Sequence, residues 1–126
     1  MVTFLEEGRQ TQASEYLLAS RERHQIVADL EQALVGVDIA LTPSTPAPAP
    51  RNTTHTGDAA FQTPWSFAGL PTIALPSGVN PWGLPVGVQL IGHRWRDGEL
   101  LRAAQWCESV LGFDARPPCW SGGEIA

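Results

Sequence analysis

No lysine occurs anywhere in the 126-residue sequence. All eight basic residues are arginine, against thirteen acidic ones, giving a net charge of -5. A Ser–Lys pair for nucleophilic catalysis therefore cannot form within this chain, because the base is missing. The acidic balance also argues against nucleic acid or an anionic membrane surface as a partner, since both select a basic face. Cysteine is scarce. Cys107 and Cys119 are too few for a disulfide framework. No run approaches the ~20 apolar residues of a membrane helix, and Met1–Gln10 has neither a basic leader region nor a long apolar core. These absences set the expectation of a soluble, cytoplasmic protein. The length suits one domain.

What is present reads as alternating helix and strand. From Thr11 to Leu34, Ala13, Tyr16, Leu17, Ser20, His24, Val27, Leu30 and Leu34 recur at spacings of three and four, the mark of one helix face. Thr11 or Ser14 offers a cap, and Gly36 a stop. Val37–Leu41 (VDIAL) reads as a short buried strand. Thr42–Pro50 (TPSTPAPAP) then places four prolines in nine residues. Proline fixes φ and has no N–H, so this stretch is expected to stay out of any sheet and run extended. Arg51–Gly57 continues as polar loop, making 42–57 one proline-rich connection.

Asp58–Ala68 reads as a short helix ended before Pro71. Thr72–Leu75 and Val86–Ile91 are strands, β-branched and bounded by Pro and Gly. Ser77–Leu84 between them is rich in turn residues, so the two strands are expected to pair antiparallel. Asp97 reads as the N-cap of a last helix to Leu111, with Leu100, Leu101, Ala104, Cys107 and Leu111 on its apolar face and Gly112 as its stop. Phe113–Ala126 reads as an irregular tail. The order helix–strand–short helix–strand–strand–helix implies an α/β layered fold. Three strands make a small sheet, whose apolar faces expect further partners.

Reactive groups are few. Ser77 lies in Pro76-Ser77-Gly78, which is not Gly-x-Ser-x-Gly and does not lead into a helix. A turn serine is the simpler reading. His24, His55 and His93 are far apart and lack metal-ligand spacing. Cys107 sits on a helix's apolar face, where a thiol acts as a small hydrophobe, and Cys119 has no activating neighbour in sequence. The five tryptophans supply core or interface mass more readily than a stacking surface for bases. The glycines do not make a Gly-x-Gly-x-x-Gly cradle. No catalytic residue, metal ligand or cofactor site emerges.

Two near-copies of Gly-Leu-Pro stand out: Ser66-Phe67-Ala68-Gly69-Leu70-Pro71 followed by Pro76-Ser77-Gly78, and Gly83-Leu84-Pro85-Val86-Gly87-Val88-Gln89-Leu90-Ile91-Gly92. Upstream lie Val37-Asp38-Ile39-Ala40-Leu41-Thr42-Pro43 and, earlier, Glu7-Gly8, Ala13, Glu15-Tyr16 and Arg23. This ordered set resembles the C-terminal part of amidase signature enzymes, over about Glu6 to Leu111. The resemblance implies a partial domain over residues 1–126, cut from a larger mixed sheet flanked by helices. Such enzymes hydrolyse linear amides with a Ser nucleophile, a second Ser in a cis peptide and a Lys base, all carried by segments absent here. Many members have Asn where this sequence has Ser66.

The resemblance also implies that Thr63, Trp65 and Ser66, just before Gly69-Leu70-Pro71, line the pocket for a small amide substrate. The loop bearing Thr42 and Ser44 would join them, with Trp65 as plain core the competing reading. The remaining expectation is self-association of the isolated chain into a homo-oligomer. Val86–Ile91 carries no charge to block edge pairing, and Val37–Leu41 carries only Asp38. An interaction module is the alternative function.

Overall fold

The computed structural model describes residues 2–52 and 54–116. In chain order it contains α1 (Val2–Gln10), α2 (Ala13–Ala33), β1 (Ala40–Pro43), α3 (Thr63–Ala68), β2 (Thr72–Val79), β3 (Pro85–Ile91) and α4 (Asp97–Leu111). Among the described residues the three strands form one antiparallel sheet in the order β1-β3-β2. α2 and α3 lie on one of its faces and α4 on the other, so the α/β expectation holds. Of the tail, 113–116 carries neither helix nor strand. Cys119 and the rest of 117–126 lie outside the described residues.

β3 is the axis of the fold. Successive strand side chains point to opposite faces, and here both faces are covered. Ile91 joins Leu34, Ala68 and Leu70, against which Val27 and Leu30 of α2 and Trp65 of α3 pack. Leu90 joins Leu75, Leu100 and Ala104 beneath α4, with Ile73, Val88 and Cys107 around them. Gly92 lets α4 close on the sheet: a Cβ there would stand 3.1 Å from the Leu100 Cβ.

Several element boundaries differ from the sequence reading, each for a local reason. The helical segment expected to start at Thr11 is preceded by a second helix, α1. Between them the Thr11 hydroxyl turns back onto the Glu7 carbonyl at 3.2 Å. Gln12, not Thr11 or Ser14, becomes the N-cap of α2, and its N–H donates to the Glu15 carboxylate at 3.0 Å. α2 ends at Ala33, and Gly36 (φ 82) completes the turn beyond it.

β1 is shifted from Val37–Leu41 to Ala40–Pro43, because its pairing begins at Ala40, opposite Ile91 at the end of β3, while the Val37 carbonyl is taken by the Nε2–H of His93 at 2.7 Å. The proline-rich segment therefore does enter the sheet, through Thr42 and Pro43. Pro43 faces Val88 on an outer strand. The adjacent Ser44 N–H donates inward to the Gly87 carbonyl at 3.0 Å, so the donor Pro43 lacks would have pointed away from β3.

The Asp58–Ala68 helix is shorter than expected. Pro64 has no N–H to continue the ladder toward Ala60, so the helix starts at Thr63 with Pro in its first turn. β2 runs through Pro76-Ser77-Gly78 to Val79 instead of stopping at Leu75. Register shifts between Pro76 and Gly78, which makes Ser77 a bulge residue rather than a turn serine. The hairpin turn is confined to Asn80–Leu84, where the Asn80 Oδ1 accepts from the N–H groups of Trp82 (3.0 Å) and Leu84 (2.9 Å). Asp97 is the first residue of α4, and Arg96 takes the N-cap position.

The edge assignment also changes. Val86–Ile91, expected to expose an uncharged edge, is paired on both sides. The free edges belong to β1 and β2.

Candidate functional site

α3 carries three of the five candidate residues, and its ends explain how they are held. At its start the Thr63 N–H and hydroxyl both donate to the Ala59 carbonyl, at 2.9 and 2.8 Å. At its end Gly69 adopts φ 70, and the Leu70 and Gly69 N–H groups close back on the Trp65 and Ser66 carbonyls at 3.0 and 3.1 Å. That arrangement is a Schellman-type stop.

The five residues are not gathered into one pocket by this chain. Thr63 is exposed and lines a cleft of about 460 Å³ beside Ile26, Pro64 and Phe67. Trp65 is half-buried against the cluster of Leu34, Ala68, Leu70 and Ile91, so its ring is core. Ser66 is exposed on α3. Thr42 sits on β1, where its hydroxyl accepts from the Gln89 amide Nε2 at 2.9 Å. Ser44 donates through both N–H and Oγ to the Gly87 carbonyl, each at 3.0 Å. It lines a second cleft, of about 750 Å³, between the proline-rich loop and the start of β3. Asp58 borders both clefts and thereby joins the Ser44 and Thr63 sides.

Three polar groups that the sequence reading did not single out as site residues organise this region. Gln89 is 2% exposed and donates to the Phe61 carbonyl at 2.5 Å as well as to Thr42. It ties the loop ahead of α3 to the start of the proline-rich loop. The signal was a lone amide inside the apolar run Val86–Ile91. Asp58 accepts from the Ala60 N–H through Oδ1 at 2.8 Å. His55 accepts the Gly57 N–H at Nδ1, 3.2 Å, which leaves the proton of its neutral ring on Nε2. Both His55 and Asp58 line the larger cleft.

Among the described residues, the three histidines and Ser77 bond to backbone groups rather than to one another. Each histidine is engaged with backbone: His24 with the Ser20 carbonyl, His55 with the Gly57 N–H and His93 with the Val37 carbonyl. The Ser77 hydroxyl points along the hairpin to the Val86 carbonyl at 3.4 Å. Among the described residues no three His, Cys, Asp or Glu side chains converge on a metal-sized site. No helix among them is long and apolar enough to cross a membrane.

The family model described as Amidase matches residues 2–101. The chain belongs to the amidase signature family. It is 40% identical over 113 residues to a glutamyl-tRNA(Gln) amidotransferase subunit from Jannaschia sp. (strain CCS1), an overlap covering 83% of this chain and 23% of that protein. A solved amidase superimposes with a TM-score of 0.78 at 34% identity, covering 86% of this chain and 27% of the other. The 6-aminohexanoate cyclic dimer hydrolase, solved with substrate, shares the fold at a TM-score of 0.77 and 22% identity. This amidase-family chain thus spans about a quarter of the length of the relatives it matches.

Proposed function

We propose that the chain is the C-terminal portion of an amidase signature hydrolase that cleaves linear amide bonds. In this reading it supplies scaffold and part of the substrate wall and is inactive by itself. The observation that carries it is the family match over residues 2–101 in a chain spanning only 23% of a curated relative. The lack of any lysine supports the same reading, since a Ser–Ser–Lys chemistry needs that base. Thr42, Ser44, Thr63, Trp65 and Ser66 form the wall, with Ser44 and Thr63 facing the two clefts and Trp65 anchoring α3 from beneath. A small amide is the substrate of the complete enzyme.

The test is an ammonia-release assay on the purified chain with linear aliphatic and aromatic primary amides. No release above buffer is expected. Turnover that a single change in this chain abolishes, for instance Ser77→Ala, overturns the inactive-portion reading. A complex of the complete enzyme with its amide lying more than ~10 Å from all five residues overturns the wall, because contact is about 4 Å.

A second reading is favoured by the surface. Tyr16 and Leu17 of α2 are 68% and 66% exposed, and β2 offers an open edge without a charged residue. The isolated chain therefore self-associates, as an interaction module would. Light scattering at micromolar concentration tests this. A clean monomer mass near 13.6 kDa refutes it.

A further inference from the structure

α3 is a helix of six residues, too short to persist without tertiary support. Its last carbonyls, from Trp65 to Ala68, have no partner within the helix. The N–H groups of Leu70 and Gly69 satisfy those of Trp65 and Ser66. The other two are satisfied by arginines from distant parts of the chain. Arg23 of α2 donates both Nε and Nη2 to the Phe67 carbonyl, at 3.1 and 2.8 Å, and its guanidinium carbon lies 5.2 Å from the centre of the Phe67 ring. Arg94, just past β3, donates Nη2 to the Ala68 carbonyl at 2.7 Å and Nε to the Glu31 carboxylate at 2.9 Å.

The placement is close-fitting. Ala68 is 1% exposed, so its carbonyl would be costly to leave unpaired. A Cβ at Gly69 would stand 3.1 Å from the Arg94 Nη1, so the guanidinium occupies the space that the missing side chain leaves. Glu31 lies on α2, as Arg23 does. The end of α3 is therefore tied to α2 twice, once directly and once through Arg94, and to the end of β3 by the same Arg94.

We infer that Arg23 and Arg94 are positioning residues that set the substrate wall by gripping the last two carbonyls of α3. They touch no substrate themselves. They fix the helix that carries Thr63, Trp65 and Ser66 against α2 and the sheet. A planar guanidinium suits both positions. Arg94 serves a carbonyl and a carboxylate with separate nitrogens, and Arg23 serves one carbonyl while stacking near a ring. Lysine, a single point charge, reproduces only part of either arrangement. The inference rests on the reading of α3 as part of the wall.

Hydrogen exchange of individual amides, read by NMR on the whole chain, tests it. Arg23→Met and Arg94→Met are expected to speed exchange at Gly69 and Leu70 by about tenfold or more while leaving Leu90 and Ile91 at their original rates. Arg23→Lys and Arg94→Lys fall between those variants and the parent. If Arg94→Met does not fold, Glu31→Met removes only the carboxylate partner and shows the same local pattern at smaller size. Unchanged rates at Gly69 and Leu70 overturn the inference. So does an equal acceleration at Leu90 and Ile91, which signals a general loss of stability rather than a local grip. A local response at α3, together with an amide found bound far from α3 in the complete enzyme, upholds the grip and removes only the wall reading.

Discussion

Replacing Gln89 with leucine separates the polar link at the centre of the fold from the packing around it. The two side chains are similar in size, so little cavity is created. What is lost is a pair of hydrogen bonds from one Nε2, to the Thr42 hydroxyl at 2.9 Å and to the Phe61 carbonyl at 2.5 Å. Each bond contributes about 0.5–1.5 kcal/mol net, so Gln89→Leu costs about 1–3 kcal/mol. Thr42→Val removes the hydroxyl alone and costs about 0.5–1.5 kcal/mol. In the double variant the Thr42 bond is lost only once. The two effects should therefore fall short of their sum by a coupling of about 0.5–1.5 kcal/mol. Urea unfolding at 25 °C reads these changes as shifts in midpoint at constant slope. The reasoning is refuted if Gln89→Leu unfolds at the parent's midpoint, or if the double variant is strictly additive.

Other outcomes follow from single positions. Gly87→Ala sets a Cβ 2.8 Å from the Leu75 carbonyl oxygen and 3.1 Å from the Ser44 Oγ; a loss of about 1–3 kcal/mol is expected in thermal unfolding, with the Ser44 amide resonance displaced. Gly69→Ala forces a φ of 70 on a residue with a Cβ, beside Arg94, and costs about 1–2 kcal/mol in the same assay. Ser77→Ala stays within about 0.5 kcal/mol of the parent in urea unfolding, since its hydroxyl makes only a 3.4 Å contact in the bulge. Leu17→Glu, at an exposed site on α2, lowers the mass seen by light scattering without lowering the melting temperature of dilute protein.

The elements that could be read from sequence are those whose signal is local. The second half of β3, Gln89–Ile91, is buried on both faces, and a strand so placed reads as a near-continuous apolar run. α4 shows its buried face at Leu100 and Ala104, three and four residues from the next apolar positions. The misplaced boundaries depend on facts that exist only after pairing. Pro43 is excluded from a strand by rule and admitted here because its missing donor faces outward, which depends on β1 lying at the edge. Pro76 would by the same rule end β2, but the bulge at Ser77 absorbs it and lets pairing resume at Gly78. The α1–α2 break lacks a Pro or Gly mark and is set by side chains folding onto backbone at Thr11 and Gln12.

The candidate site divides along the same line. Thr42 and Ser44 open the proline-rich segment and Thr63 directly precedes Pro64, and the family resemblance points at them, although Thr42 proves to lie on β1 and Thr63 at the start of α3. Gln89, Arg23 and Arg94 act on backbone carbonyls and on a partner hydroxyl brought close by folding. Arg23 reaches a carbonyl 44 positions along the chain, and Arg94 one 26 positions back. Neither acceptor is identifiable until α3 has formed and left its last carbonyls open. Apolar periodicity records which face of an element is buried, but it carries no record of which orphaned carbonyl a distant guanidinium will meet. In this fold those pairings fix where α3 stands, because a helix of six residues is too short to fix its own position.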